Sequence, residues 1–485
     1  MTTRKVFKNS IIYTVLAFLA PAVNFFLIPV YSRFLTPSDF GIITLATIVT
    51  SVLVNISGMG ITGAFTRFYY DVMDDREKIR NLLNTSIFTI LFFTGVLGLL
   101  VFLIGDPVMN LMFKNRDFTI ATFGVFMLIT ALATNLQTLV QAWYRNEEKI
   151  KAYAFWSVTF FVCVVAGIYW GVVVLKKGAV GSVGGRMWGL LAPSVIFLIY
   201  LFASGRFTYS MSLARRMLIY GVPLVFYLLL TLGFNSVDKI MLERYLTLEA
   251  LGLYGFAYLV STVIEILINA VNSAINPQIF RMLKDGSNES MLKIRSMISG
   301  NILAMIFVML WIMALCGPAV EWFIDSRYYD TIYYMPLLVA AYIPRLLFTY
   351  YNIPFFYYHK TKALPWISAV SLTAGIMLNI VLLPLLGIYG VCLAVFLTRM
   401  IQCSLAWYTG KRMKIIPEKA FNLGSRLFLC LLFIAGTLLS AIIQLRVPSQ
   451  WQVWIYLPIT LLYTIYLILY AARKGLWQEF SFIKR

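Results

Sequence analysis

Long runs of apolar residues, separated by short charged stretches, follow one another along almost the whole chain. Hydrophobic residues make up 61% of the 485 positions and charged residues only 12%. Soluble domains carry about 25% charged residues. Because a helix needs about 20 mostly apolar residues to cross the hydrocarbon core of a bilayer, the pattern predicts an all-α integral membrane protein.

We predict about fourteen transmembrane helices. Prolines inside them, such as Pro21, Pro223 and Pro344, are compatible with this because neighbouring membrane helices can satisfy the backbone groups that a proline frees. The predicted spans are 11–31, 41–66, 82–104, 118–143, 154–175, 180–203, 213–235, 249–273, 292–316, 332–358, 363–385, 387–409, 422–445 and 451–472.

The charged residues between these spans predict an orientation, because cytoplasmic loops are enriched in Lys and Arg. The N-terminus, the even-numbered loops and the C-terminus hold 28 Lys and Arg, and the odd-numbered loops hold 9. We expect a multi-pass protein of the bacterial inner (cytoplasmic) membrane, and this distribution of charge predicts that both termini are in the cytoplasm. The net charge of +20 then reflects topology and attraction to anionic membrane lipid, and we expect no nucleic-acid partner.

An internal repeat suggests how the helices are grouped. Residues 32–52 and 243–263 align without a gap, and each segment links the first two helices of a six-helix set. An even number of helices preserves orientation, so the repeat is parallel and its two lobes surround a central cavity, as in an alternating-access transporter. We expect a six-helix lobe at 1–212, a second at 213–412, and an appended helix pair with a cytoplasmic tail at 413–485. The identical pairs are Arg33/Arg244, Leu35/Leu246, Thr36/Thr247, Gly41/Gly252, Ala46/Ala257, Val49/Val260 and Val52/Val263.

Motifs of enzymes and cofactor sites are missing from the sequence. No GxxxxGK followed by Ser or Thr occurs, and the single histidine, His359, cannot form a histidine metal cluster. The GxGxxG at Gly58, Gly60 and Gly63 lies inside an apolar span, so it indicates close helix packing rather than a dinucleotide site. We therefore expect neither an enzyme nor a bound cofactor, and coupling to H⁺ or Na⁺ stays open.

Ionisable residues at membrane depth are costly and usually face a wet cavity or a partner. Arg345, Arg399 and Glu265 lie near the centres of predicted spans of the second lobe. One interpretation is an ion pair that braces this lobe, or a coupling carboxylate at Glu265. The other is a cationic site for an anionic head group, since the planar fork of arginine suits phosphate oxygens.

Two further sets of residues are candidates for the substrate pathway. The span 332–358 contains Pro336, Pro344 and Pro354, and its deeper tyrosines are Tyr342, Tyr350 and Tyr351. These tyrosines would contact sugars in a hydrated pathway, or they would pack against neighbouring helices. Arg67, at the cytoplasmic end of the second span, is either a topology anchor or a contact for the phosphates of an arriving lipid.

Three stretches resemble the Wzx-like flippases of O-antigen-type polysaccharides, in the multidrug/oligosaccharidyl-lipid/polysaccharide exporter superfamily. They are PVYSRFLTPSDFGIITLATIV, GITGAFTRFYYD and VDKIMLERYLTLEALGLYGFAYLV. The resemblance implies that an undecaprenyl-diphosphate-linked oligosaccharide moves from the inner to the outer leaflet through a cationic central cavity. Glycan polymerase or assembly proteins would be its partners, and an ion gradient or consumption of the product would supply energy.

One departure bears on the substrate. The peptidoglycan-precursor flippases of the superfamily carry arginine inside the first helix, whereas residues 11–31 here carry no charge. This favours a repeat unit of O-antigen, capsule or exopolysaccharide. Two alternatives stay open: a drug or organic-cation antiporter of the same superfamily, which should bury more carboxylates, and a non-transporting scaffold of a glycan-assembly complex.

Overall fold

The structure, a computed structural model, consists of helices and short connections in the residues it describes, without a β-strand among them. Eleven helices in this part of the chain are long and apolar enough to cross a membrane. The protein is therefore an all-α multi-pass membrane protein, as the sequence predicted. The described residues are 12–13, 16, 19–115, 118–203, 208–421, 427–428, 430–431, 433–437 and 452–473.

The helices follow the predicted spans closely. In the first half they are α1 (Leu19–Phe26), α2 (Ile28–Phe34), α3 (Pro37–Gly58), α4 (Ile61–Val72), α5 (Arg76–Met112), α6 (Val125–Asn146), α7 (Ile150–Tyr169), α8 (Gly178–Ala203) and α9 (Met211–Tyr245). In the second half they are α10 (Leu248–Asp285), α11 (Asn288–Phe323), α12 (Thr331–Ala340), α13 (Tyr342–Tyr357), α14 (Ala363–Leu386), α15 (Ile388–Arg412), α16 (Glu418–Phe421) and α17 (Gln452–Arg473).

Eleven predicted spans, from 41–66 to 387–409, correspond one to one with the candidate membrane helices. The span 451–472 corresponds to α17. Part of the span 11–31 and most of the span 422–445 lie outside the described residues.

Several helices are longer than the apolar runs that predicted them. Helices α5, α9, α10 and α11 contain 37, 35, 38 and 36 residues. Hydropathy marks only the segment that matches the hydrocarbon core, whereas polar helical turns continue into the interface. The start of α5 shows how such an end is stabilised, since the Asp75 carboxylate accepts hydrogen bonds from the backbone N–H groups of Glu77 and Lys78 at 3.0 and 3.2 Å.

The two copies of the repeat begin their helices in the same way. Before α3, the Thr36 hydroxyl accepts from the Asp39 N–H at 3.1 Å, and the Asp39 carboxylate accepts from the Thr36 N–H at 3.1 Å, which forms a capping box. Before α10, the Thr247 hydroxyl accepts from the Ala250 N–H at 3.1 Å. Two threonines that are identical in the sequence repeat therefore cap equivalent helices.

Two glycines that are identical in the repeat let these helix starts cross in close contact. A Cβ atom at Gly41 would overlap the carbonyl oxygen of Leu248, and a Cβ atom at Gly252 would overlap that of Pro37. Only glycine allows backbones to approach this closely. Gly41 and Gly252 thus hold the beginnings of α3 and α10 together.

Two predicted spans are each broken into two helices. The span 41–66 is interrupted at Met59 and Gly60, which both have left-handed backbone angles (φ 45° and 67°), and Gly60 lies against the backbone of Gly221. The span 332–358 is interrupted at Ala341, where Pro344 lacks the N–H that would bond the carbonyl of Ala340. The close approach expected near Gly60 and the proline-broken helix are both present.

Contacts within the chain define two compact units, Met1–Gly255 and Phe256–Arg485. Helix α9 packs against α3, α4 and α5, so it belongs to the first unit. The boundary after residue 212 was inferred from the repeat rather than from compactness. The division into lobes at 1–212, 213–412 and 413–485 therefore stays a prediction.

We predict that Gly41→Leu and Gly252→Leu each lower the free energy of unfolding by about 1–3 kcal/mol, because the added side chain must push two helix backbones apart. Thermal unfolding of the purified protein in detergent measures this change. Gly95→Leu in α5 is the matched control, because a Cβ at Gly95 meets nothing within 4 Å. Equal effects at all three positions would contradict the proposed crossing.

Candidate functional site

The first candidate site lies within the second unit, where Glu265 of α10 meets Arg345 of α13. Nη2 and Nε of Arg345 donate to Oε1 of Glu265 at 2.7 and 3.1 Å. The two side chains are 28% and 27% exposed. The ion pair that the sequence offered as one interpretation is therefore formed. About a quarter of each side chain stays exposed.

Arg399 of α15 lies beside this pair but is held differently. Its side chain is buried, its guanidinium carbon lies 4.7 Å from the centre of the Tyr342 ring, and Nη1 donates to the Ala341 carbonyl at 3.5 Å. Arg399 also interacts electrostatically with Glu265. Arg399 thus supplies a hydrogen bond to a backbone carbonyl at the break between α12 and α13. Interrupted membrane helices need such partners for the backbone groups that lose their helical hydrogen bonds.

The cluster of Arg345, Arg399 and Glu265 carries one surplus positive charge. Arginine binds phosphate and carboxylate with the same bidentate geometry. The Arg345 guanidinium, which is partly exposed, can therefore exchange its carboxylate partner for a phosphate group of a ligand. Whether an anionic head group occupies this position stays a prediction.

The three tyrosines proposed as sugar contacts are buried in the second unit. Tyr342, Tyr350 and Tyr351 are at most 4% exposed. Tyr350 shares a hydrogen bond between its hydroxyl and the Asn301 side chain, and the ring of Tyr342 lies under Arg399. In this conformation they pack between helices, which is the second of the two roles that the sequence allowed, and sugar contact stays a prediction.

Arg67 lies on the exposed surface of the first unit. It donates to Asp71 at 2.8 Å, one helical turn along α4, and both side chains are at least half exposed. Exposed pairs of this kind contribute little to stability. Arg67 remains available to a charged ligand near this helix end.

The structure also contains a cavity within the first unit that the sequence did not single out. Its volume is about 260 Å³, and its lining includes many hydroxyl and amide side chains and one arginine, Arg186. No Asp or Glu occurs among its described lining residues. The polar lining residues are Tyr31, Thr47, Thr50, Ser51, Thr130, Thr134, Gln137, Gln141, Ser157, Ser182 and Arg186.

A stripe of glycines on α8 directs Arg186 towards this cavity. Gly181, Gly185 and Gly189 recur every fourth residue. They lie against the backbone of residues 163–171, which comprise the C-terminal part of α7 and the two residues after it. Ser182 and Arg186 are one position further round the helix, so they line the cavity beside this contact. Arg186 lies within the predicted span 180–203, which contains no second charged residue that would indicate a partner.

A buried ion pair in the last third of α9 is a further feature of the first unit. Lys239 lies 3.2 Å from the Asp238 carboxylate and donates to the Asn235 carbonyl at 3.0 Å, and the Tyr254 hydroxyl donates to Asp238. Buried charges are tolerated when they are paired and hydrogen-bonded in this way.

Among the described residues, no group of three or more His, Cys, Asp or Glu side chains could hold a metal ion.

Comparison with known proteins assigns the family. The sequence matches the family described as polysaccharide biosynthesis protein over residues 6–283, more than half of the chain. The chain belongs to that family. Protein 1 of the Lsg locus of Haemophilus influenzae is 23% identical over 384 residues, which cover 76% of this chain and 88% of the relative. A membrane protein of the same organism is 22% identical over 388 residues, covering 75% and 87%.

Solved structures of transporters have the same fold as this chain, although their sequences are very different from it. The lipid II flippase MurJ, in an inward closed conformation, superposes with a TM-score of 0.72 at 15% identity, covering 96% of this chain and 99% of that chain. An inward-facing multidrug resistance MATE family transporter of the MOP superfamily gives 0.68 at 14% identity, covering 84% and 96%. The protein thus has a transporter fold, and its resemblance to the polysaccharide flippase family is confirmed.

We predict that Glu265→Gln and Arg345→Met each lower the free energy of unfolding by about 1–3 kcal/mol, because each leaves a partly buried charge without its partner. The double variant should lose less than the sum of the two. Unfolding in mixed detergent micelles measures all three. Asp325→Asn with Arg327→Met is the control cycle, since that pair is 33% and 41% exposed and should couple by less than about 1 kcal/mol.

Proposed function

We propose that this protein is a flippase that moves an undecaprenyl-diphosphate-linked oligosaccharide from the cytoplasmic to the outer leaflet by alternating access. The cargo would be a repeat unit of O-antigen, capsule or exopolysaccharide. The protein would lie in the bacterial inner membrane with both termini in the cytoplasm. Family membership and the fold shared with the lipid II flippase support a lipid-linked substrate.

The observation that carries this proposal is the surplus of positive charge at membrane depth. In the second unit two arginines lie with one carboxylate, and in the first unit Arg186 faces a cavity without a described acidic residue. A charge at this depth is costly and is retained for a partner or a function. A diphosphate is the part of the substrate that would compensate it.

Competition for Arg345 gives a mechanism for coupling. When a diphosphate engages the guanidinium, Glu265 loses its partner and becomes a carboxylate that H⁺ or Na⁺ can neutralise. Binding of substrate and binding of the cation are then linked through one side chain, as reciprocal coupling requires. The sugar would follow the hydrated path while the lipid tail stays in the bilayer.

The alternative is an ion-coupled antiporter of drugs or organic cations. The fold shared with the multidrug transporter and the carboxylate of Glu265 favour it. Against it stands the charge of the cluster, because Arg345 and Arg399 repel a cationic ligand at this position. A non-transporting scaffold for glycan assembly is the third outcome that the following experiment distinguishes.

Deletion of the gene in its host, with lipid-linked glycans and surface polysaccharide quantified together, tests the proposal. We expect loss of surface polymer and accumulation of lipid-linked repeat units on the cytoplasmic leaflet. Unchanged glycan with higher sensitivity to cationic drugs would instead support the antiporter. Loss of polymer with normal translocation of the repeat unit in membrane vesicles would support the scaffold.

Complementation of the deletion tests the arginines. We expect Arg345→Ala and Arg399→Ala to lower export of the polymer at least tenfold, while the amount of folded protein in the membrane stays within about twofold. The Arg345→Ala/Glu265→Ala double variant removes the concern that an unpaired carboxylate prevents folding. Arg327→Ala is the control for charge alone, and normal export by both arginine variants would refute the role of this cluster.

A further inference from the structure

Two helices of the first unit, α3 and α6, present hydrogen-bond acceptors to the cavity. Four of its hydroxyl groups donate to the backbone carbonyl one turn earlier in their own helix, at 2.6–2.8 Å. Their hydrogens are therefore engaged, and the oxygen lone pairs remain available to a ligand that carries hydroxyl donors. These residues are Thr47, Ser51, Thr130 and Thr134.

Arg186 supplies hydrogen-bond donors and a positive charge to the same cavity. Its Nη2 donates to Oδ1 of Asn24 at 3.2 Å, which is a neutral partner, and no described carboxylate lies within ion-pair distance. The guanidinium offers five N–H donors. The amide of Gln137 also lines the cavity and makes no hydrogen bond to another described side chain. The cavity thus combines a positive charge and N–H donors with the hydroxyl acceptors.

The combination of groups and the volume limit the class of ligand. A halide or inorganic phosphate would accept hydrogen bonds from the N–H donors of Arg186. It would provide few or no donors for the hydroxyl oxygens of the threonines and serine. A neutral sugar would leave the arginine charge without compensation. At about 260 Å³ the cavity is slightly smaller than the roughly 300–1,000 Å³ of pockets for drug-sized molecules, so it suits one sugar ring rather than an oligosaccharide.

We propose that this cavity binds one acidic sugar residue, with its carboxylate or phosphate on Arg186 and its hydroxyls on Thr47, Ser51, Thr130 and Thr134. Phe160 and Phe161 line the same cavity and offer apolar surface to the ring. The ligand is either a free sugar acid or an acidic residue of a repeat unit. Its binding is independent of the transport activity, whereas selection of acidic repeat units rests on the proposed function.

Calorimetry on the purified full chain in detergent tests the site with three probes: glucuronate, glucose and inorganic phosphate. We expect glucuronate to bind at least tenfold more tightly than either of the others, because only glucuronate satisfies both halves of the cavity. Equal affinity for phosphate and glucuronate would overturn the sugar assignment. Absence of glucuronate binding to the unaltered protein would overturn the site itself, without reliance on any variant.

Variants then assign the binding to Arg186. Arg186→Gln should weaken glucuronate binding at least tenfold and leave the weak glucose binding unchanged, and Arg186→Lys should recover part of the affinity. Arg215→Gln is the matched control, since Arg215 is an exposed arginine of the same unit outside the cavity. Unchanged glucuronate affinity in Arg186→Gln would refute the assignment.

A cellular arm separates a free sugar acid from the substrate of transport. In the complemented deletion strain, Arg186→Gln should lower export of a repeat unit that contains a uronic acid and spare a neutral one. Equal export of both, with glucuronate binding intact in vitro, would identify a free sugar acid as the ligand. If the deletion has no glycan phenotype while Arg186-dependent binding persists, the proposed function fails and the binding site stands.

Discussion

A charge that leaves water must find a partner within the protein, and this requirement decides how the ionisable groups of the chain are arranged. Arg345 is paired with Glu265, Arg399 is held by an aromatic ring and a backbone carbonyl, and Lys239 is paired with Asp238. The three arrangements leave different fractions of the charged side chains exposed to a ligand or solvent. Arg345 keeps more than a quarter of its side chain exposed, whereas Arg399 is almost completely covered. The two arginines therefore cannot have equivalent roles, although their positions in the sequence look alike.

The sequence predicted the helices well because a single physical quantity, apolar length, determines whether a segment crosses a bilayer. Within the sequence repeat, Thr36 and Thr247 make equivalent capping hydrogen bonds, although Asp39 completes a capping box only in the first copy. The break at Met59 was not predicted, because a methionine in a left-handed conformation has no signature in an apolar run. Its neighbour Gly60 gave the only local indication, as a residue expected to allow close packing.

The partners of the candidate site residues were harder to predict than their depth. Depth follows from position within a span, so Glu265, Arg345 and Arg399 could be recognised as a group. Which arginine meets the carboxylate depends on rotation and tilt of α10, α13 and α15, and these depend on packing that a single sequence does not show. Arg186 could not be predicted as a site residue for a related reason. Its cavity is built from hydroxyl residues of several helices, and serine and threonine are common in membrane helices for purely structural reasons.

The crossing of α3 and α10 has the symmetry of a dimer interface. Gly41 meets the helix start at Leu248, and Gly252 meets the equivalent position, Pro37, so each copy of the repeat contributes the same patch to the contact. Contacts of this isologous kind are characteristic of two identical subunits related by a two-fold axis. One polypeptide thus retains, at a single point, the geometry of a homodimer. The two copies are consequently not free to diverge there, because a larger side chain in either one would intrude on the backbone of the other.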